Sequence, residues 1–164
     1  MGKHFPALFR KRRVMLDSNI LISALAYKSE QSVKAVEKAE TDDHLILPSV
    51  VEQECIEYTR KRKKAVISER TMHNRLSKLD AERVTVVTPK VSELKKRYYI
   101  RDENDYKILN AADKTNTDIF VTGDKDYFDN VKGLDKTDIL HPTTYNKEIR
   151  PVYRIKKLFG RRVR

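Results

Sequence analysis

The sequence predicts an α/β domain with a mainly parallel sheet of about five strands. Short runs of β-forming residues end in polar or proline signals and alternate with longer stretches of helical periodicity. The runs lie at residues 13–16, 45–47, 84–88, 118–122 and 138–140. The helical stretches lie at 30–41, 49–63, 67–80, 90–98 and 103–116. This alternation is typical of parallel sheets whose crossover helices cover both faces.

The basic charge of the chain is concentrated at its two ends. The 164 residues carry 35 Lys+Arg and 24 Asp+Glu, a net charge of +11. Residues 1–13 hold five basic side chains, residues 150–164 hold seven, and neither segment has an acid. Residues 14–149 hold 23 bases and 24 acids and are nearly neutral. We therefore expect a basic N-terminal arm over 1–12, one domain over 13–149 and a basic tail over 150–164, with polyanions as partners.

The expected compartment is the cytoplasm, because the single Cys55 allows no intramolecular disulfide. The basic start and the apolar residues after it imitate a signal peptide, but Asp17 and Asn19 interrupt the part that should be apolar. The longest stretch without a charged residue has ten residues, at 18–27. A spanning helix needs roughly 20 apolar residues, so no membrane association is expected.

Two aspartates follow predicted strands, at the sheet edge where open parallel sheets bind ligands. Asp17 comes directly after Val14-Met15-Leu16. The alternative role for Asp17 is to cap a following helix. Asp124 follows the strand that ends at Thr122, and Gly123 between them allows a sharp turn toward this edge, with Asp126 close behind. An ordinary Gly-Asp turn is the alternative there.

Two further acids lie on the apolar faces of predicted helices. Helical spacing places Glu54 on a stripe with Val51, Cys55 and Tyr58. The alternatives are a partly exposed Glu54 without a function and Glu57 in its place. Asp105 shares a face with Ile108, Leu109 and Ala112, behind Asp102 as the expected N-cap. A reciprocal cap to the backbone of Asp102 would need the same geometry.

Convergence of these four carboxylates would favour an oxygen-bound cation. Crowded carboxylates repel one another unless a cation neutralises them, and oxygen ligands suit Mg²⁺ or Mn²⁺. The four histidines are scattered, so a zinc site is not expected. The sequence also lacks the glycine-rich phosphate loops and the Gly-x-Ser-x-Gly motif of serine hydrolases.

These motifs, in this order, resemble the PIN-domain nucleases, and in particular the toxins of toxin–antitoxin pairs. The likeness spans residues 13–145, and its most specific part is the Thr-Gly-Asp-x-Asp-x-Phe segment. The matching segments are Leu16-Asp17-Ser18-Asn19, Pro48-Ser49 with Glu54, Asp102-x-x-Asp105-x-x-Ile108-Leu109-x-x-Ala112, and Thr122-Gly123-Asp124-Lys125-Asp126-Tyr127-Phe128.

The resemblance implies a three-layer α/β/α fold and divalent-metal-dependent cleavage of RNA. It also implies frequent dimerisation and inhibition by a small antitoxin protein. Its catalytic and metal-binding acids fall on Asp17, Glu54, Asp105 and Asp124. Accessory positions fall on Asn19, Asp102, Thr122 and Asp126. The basic extensions depart from compact toxins, which leaves an RNA-processing or phage-encoded relative as an alternative.

Basic residues outside this acid set are expected to bind the RNA backbone. They are Arg60, Lys61, Arg62, Lys63 and Lys64 at the end of the Glu54 helix, with Arg161 and Arg162 in the tail. A solvated helix end that complements the helix dipole is the alternative for the first five.

Three other classes of protein compete with this interpretation. The first is a non-catalytic nucleic-acid-binding protein with basic arms, against which the retention of all four acids argues. The second is a haloacid-type phosphatase, which would need Asp where the chain has Asn19. The third is a response-regulator receiver, which would need an acidic pair before its phosphorylated aspartate.

Overall fold

A five-stranded, all-parallel sheet forms the centre of the protein in the computed structural model, which describes residues 10–61, 65–97, 105–131, 134 and 136–148. The strand order is β3-β2-β1-β4-β5. The strands are β1 (Arg13–Leu16), β2 (His44–Pro48), β3 (Glu82–Val84), β4 (Ile119–Val121) and β5 (Asp138–Leu140). In the register of the central strand, Val14 pairs with Leu45 on one side and with Ile119 on the other.

Helices connect the strands and cover both faces of the sheet, which makes a three-layer α/β/α fold. Those in the described residues are α1 (Ser18–Leu25), α2 (Glu30–Thr41), α3 (Ser49–Lys61), α4 (Glu69–Ser77), α5 (Val91–Arg97), α6 (Asp105–Lys114), α7 (Lys125–Asn130) and α8 (Pro142–Lys147). The chain moves from β1 to β3 in one direction along the sheet and returns past β1 to β4 and β5. Right-handed crossovers in opposite directions place their helices on opposite faces.

The predicted fold class is confirmed, while one strand is displaced. The third strand was expected at 84–88 and lies at Glu82–Val84. Its partner β2 ends at Pro48, paired with Val84, because the chain turns into α3 at Ser49. Residues after Val84 therefore have no strand beside them in this sheet, whatever their β propensity.

Three of the helices were not predicted from the sequence. They are α1, α7 and α8, with eight, six and six residues. The two six-residue helices are too short to show a helical period. Helix α1 carries no charged residue, so its buried and exposed faces are not separated by polarity in the sequence.

The middle strands are buried on both faces. Val14, Met15 and Leu16 of β1 are at most 1% exposed, and Ile119, Phe120 and Val121 of β4 at most 3%. Because β1 and β4 lie at the point where the strand order reverses, the crevice beyond their carboxyl ends is the expected ligand position. This crevice is flanked by the residue that follows β1, Asp17, and the residue that follows β4, Thr122.

The opposite edge of the sheet is held by ion pairs from the last residues of the predicted N-terminal arm. Arg12 donates two hydrogen bonds to buried Asp43, at 3.1 and 3.0 Å, and the Tyr145 hydroxyl donates a third at 2.7 Å. Arg10 donates to both carboxylate oxygens of Asp118, at 2.8 and 2.9 Å. These arginines at the end of the arm therefore anchor the chain to the domain.

Within the described ranges, no helix is long and apolar enough to cross a bilayer.

Candidate active site

Asp17 is the best-defined residue of the predicted site. Asp17 is 4% exposed and directly follows the central strand β1. The backbone amide of Asp17 donates to the carbonyl of Val121 at 2.9 Å, which continues the β1–β4 pairing by one residue. The Thr122 hydroxyl donates to Asp17 Oδ2 at 2.6 Å. The carboxylate is thus held at the reversal point of the sheet.

Asp17 fulfils only part of its alternative role as a helix cap. Asp17 occupies the N-cap position of α1, but its side chain makes no capping hydrogen bond. Its carboxylate points to Thr122 instead, with a longer contact of 3.5 Å from the Ser18 hydroxyl to Oδ1. A buried carboxylate that does not cap its helix is available for another function.

Glu54 and Asp105 lie within electrostatic range of Asp17. Glu54 is on α3, where Val51 and Cys55 of its predicted stripe are fully buried and Glu54 is half-buried. Asp105 is the first residue of α6 and is half-buried. The pKa of Asp17 is raised to about 7: burial raises it most, the Thr122 hydrogen bond lowers it, and the charges of Glu54 and Asp105 raise it. Glu54 and Asp105 therefore lie near Asp17, although burial is the main cause of the shift.

Asp124 is connected to this crevice through its backbone. Its amide donates to Thr122 Oγ1 at 3.0 Å, so Thr122 links Asp124 to Asp17. The exposed carboxylate of Asp124 caps α7 and accepts from the amide of Asp126 at 2.9 Å. Asp126 lies in the first turn of α7. A metal-binding role for Asp124 stays a prediction, beside the capping role that its carboxylate has here.

Tyr127 is a site residue that the sequence analysis missed. It is 2% exposed, and its ring packs edge to face on Phe120 with centroids 5.0 Å apart. Burial and the charges of Asp17 and Asp105 raise the pKa of its hydroxyl. The hydroxyl faces Asp105 but makes no hydrogen bond of standard geometry to any described residue. Its position inside the segment from Thr122 to Phe128, which also carries acids, is the sequence feature that could have identified it.

A second buried polar atom near the crevice is without a hydrogen-bond partner among the described residues. It is Oδ1 of Asn19, in the first turn of α1. A Cβ atom on Gly123 would lie 4.0 Å from it, which places Asn19 next to the Thr122–Asp124 turn. Buried polar atoms are normally satisfied, so this oxygen is a candidate ligand for a water or a cation in the crevice.

The chemistry of these donors fits a hard divalent cation. Carboxylates of Asp17, Glu54 and Asp105 and the amide oxygen of Asn19 are all oxygen ligands, as Mg²⁺ and Mn²⁺ prefer. Among the described side chains, no three acids, histidines or cysteines are close enough to hold an ion by themselves. Mg²⁺ usually keeps several of its waters and binds one or two carboxylates directly, so a loose acid set suits it.

The other predicted residues are paired at the surface or lie outside the described residues. Arg60 donates to both oxygens of Glu69, at 2.8 and 2.5 Å, and Lys61 to Glu57 at 2.5 Å. These exposed pairs are weak, so phosphate would compete for the cations. The predictions for Arg62, Lys63, Lys64, Asp102, Arg161 and Arg162 fall outside the described ranges.

The chain matches a known family of domains over most of its length. The model of the PIN domain family matches residues 14–134. The chain therefore belongs to the PIN domain family. No curated protein matches it in sequence.

Two solved structures share the fold. One is the crystal structure of VapBC2 from Rickettsia felis bound to a DNA fragment from their promoter, with a TM-score of 0.59 and 18% identity over 79% of this chain and 98% of that one. The other is the crystal structure of DNA-bound VapBC from Salmonella typhimurium, with a TM-score of 0.56 and 16% identity over 80% of this chain and 98% of that one.

Proposed function

We propose that the protein is a divalent-metal-dependent endoribonuclease of the toxin type found in toxin–antitoxin pairs. One observation carries the proposal: Asp17 is buried beyond the central strand, held by Thr122, and repelled by Glu54 and Asp105. Folding places this carboxylate where its ionised form is disfavoured, which costs stability unless a cation is bound. Membership of the PIN domain family supports a nuclease.

In this proposal Asp17 and Asp105 hold one Mg²⁺ or Mn²⁺. Glu54 and Asp124 complete the set of ligands, directly or through water. When bound, the cation lowers the pKa of an attacking water and stabilises the negative charge that develops on the phosphate. With a cation held by these acids, a water would attack phosphorus in line as the bond from phosphorus to O3′ breaks and O3′ takes up a proton, which would leave a 5′-phosphate and a 3′-hydroxyl without a protein nucleophile.

The chain's own residues orient the acids. Thr122 fixes Oδ2 of Asp17 by its hydrogen bond, and Oδ1 lies 3.5 Å from the Ser18 hydroxyl. Tyr127 is buried near Asp17 and Asp105. Cys55 is no candidate nucleophile, because burial raises the pKa of its thiol and keeps it protonated.

The proposed partners are RNA as substrate and a small antitoxin protein as inhibitor. The fold shared with the two VapBC complexes supports the antitoxin. Homodimer formation and a location in the cytoplasm complete the proposal. The excess of basic residues in 150–164 supports a polyanionic substrate.

Cleavage of a labelled RNA by the full-length protein tests the proposal. We expect cleavage with Mg²⁺ or Mn²⁺, none in EDTA, and none by Asp17→Asn in either condition. Asp80→Asn is the matched control, since Asp80 is an exposed aspartate remote from the crevice, and it should cleave like the wild type. RNA binding by the wild type without any metal-dependent cleavage would instead support the non-catalytic class. Full activity in EDTA or in Asp17→Asn would refute the mechanism.

A further inference from the structure

A cavity next to the acid crevice has the size and lining of a nucleotide site. Its volume is about 530 Å³, within the range of small-ligand pockets. It lies between the start of α3, the end of β2 and residues 86–88. Glu54 forms part of its wall and also lies near Asp17, so the cavity adjoins the site that holds Asp17.

The lining combines an apolar surface with hydrogen-bonding groups, two cations and the two carboxylates of Glu54 and Glu57. Pro48, Val50 and Val86 supply the apolar part, and Gln53 and Thr88 supply polar groups. A nucleotide needs this combination, because its base has an apolar face with polar edges and its phosphate is anionic.

The two lysines of the cavity differ in their partners. Lys61 is paired with Glu57 at 2.5 Å. Lys107 lies two residues after Asp105 on α6, is exposed, and has no ion-pair partner in the described part of the chain. The hydrogen bond from Lys61 is the main cause that lowers the pKa of Glu57, and the charge of Lys107 contributes to it, so the Lys107 ammonium group is near this wall of the cavity. Lys107 is therefore the cation available to a phosphate there.

We propose that this cavity binds the nucleotide next to the scissile phosphate of a single-stranded RNA, with Lys107 on its phosphate. The inference rests on the proposed function and adds a substrate subsite to it. The base enters against Val86 and Pro48, while the neighbouring phosphodiester reaches Glu54 and the acid crevice. A base splayed out of a single strand fits such a cavity, whereas a base stacked in a duplex does not.

Binding of a 5′-fluorescein-labelled single-stranded RNA, followed by anisotropy in EDTA, tests the subsite without cleavage. We expect Lys107→Ala to raise Kd about tenfold, the size of one charge-assisted hydrogen bond. Lys114→Ala, an exposed lysine on the same helix outside this cavity, is the matched control and should leave Kd within about twofold.

A second pair of variants tests the cavity itself. Thr88→Asp places a negative charge inside it, and Val87→Asp places the same charge on a neighbouring side chain that is 87% exposed and does not line it. Thr88→Asp should weaken RNA binding more than Val87→Asp does. Equal effects within each pair, or no RNA binding by the wild type, would overturn the subsite. Failure of the proposed function differs from this outcome, because it would show as RNA bound normally but not cleaved with Mg²⁺.

Discussion

The Thr122 hydroxyl donates to Asp17 Oδ2 at 2.6 Å across the β1–β4 boundary. Both residues are buried, with Thr122 at 0% and Asp17 at 4% exposure. The bond stabilises the ionised form of Asp17 against burial and against the charges of Glu54 and Asp105. It thereby sets how readily the proposed site reaches the charge state that binds a cation.

Thr122→Val should weaken the site through Asp17. Valine keeps the volume but leaves the Asp17 carboxylate and the Asp124 amide without their partner. We expect a loss of about 1–3 kcal/mol in the free energy of unfolding at pH 8. The pH profile of RNA cleavage should also move to higher pH, because the pKa of Asp17 rises further. Thr85→Val, at an exposed threonine, is the control, and an unchanged pH profile in Thr122→Val would contradict the role of the bond.

Asp17→Asn should stabilise the metal-free protein in alkaline solution. Folding raises the pKa of Asp17 from 3.8 to about 7, so the native state holds a proton that the unfolded chain has lost between these values. The free energy of unfolding of the wild type therefore falls as pH rises through this window. Asparagine removes the effect, and we expect a gain on the order of 4 kcal/mol at pH 8 and little at pH 4.

Thermal denaturation in EDTA at pH 4, 6 and 8 measures this difference. Asp80→Asn should follow the wild type at each pH. If Asp17→Asn and the wild type lost stability in parallel between pH 4 and pH 8, the raised pKa of buried Asp17 would be disproved.

Removal of the hydroxyl group should change the free energy of unfolding by different amounts at two buried tyrosines. Tyr145 donates to Asp43 at 2.7 Å, so Tyr145→Phe leaves a buried carboxylate one bond short and should cost about 1–3 kcal/mol of stability. The Tyr127 hydroxyl is buried facing Asp105 without a hydrogen bond of standard geometry to any described residue, so Tyr127→Phe should cost less stability than Tyr145→Phe. Urea denaturation of both variants measures the contrast, and an equal loss in both would show that Tyr127 has a partner of its own.

The basic tail should control the salt dependence of RNA binding. Removal of residues 150–164 takes away seven basic residues and no acid. Fewer phosphate contacts release fewer counterions, so the plot of log Kd against log salt should become flatter. Metal-dependent turnover should persist, because the acid crevice lies in the remaining chain. Equal salt slopes for the full-length and shortened proteins would assign the tail another role.

Individual residues explain how far the sequence alone predicts this site. Asp17 and Glu54 were predictable because strand ends and helical stripes are local patterns, and their neighbours Leu16 and Cys55 are buried as expected. The Thr122–Asp17 bond was not predictable, since it depends on which strand pairs with β1 over a separation of 105 residues.

Two other polar side chains have partners or neighbours that are distant in the sequence. Arg12 was assigned to a basic arm, but its pairing with Asp43 requires that β1 and β2 lie side by side. Tyr127 was quoted only as part of a motif, because its proximity to Asp105 joins two helices, α7 and α6, that are separate in the sequence. Local patterns therefore predicted the candidate acids, and tertiary contacts determined which groups lie beside them.

A crystal structure of the full-length protein soaked in Mn²⁺, with data collected at a wavelength where manganese scatters anomalously, tests the central claim most directly. The account predicts an anomalous peak in the crevice beyond β1 and β4, within coordination distance of Asp17 and of Asp105 or Glu54. The same crystals of Asp17→Asn should lack that peak. An empty crevice at saturating Mn²⁺, or manganese bound only elsewhere, would contradict the account.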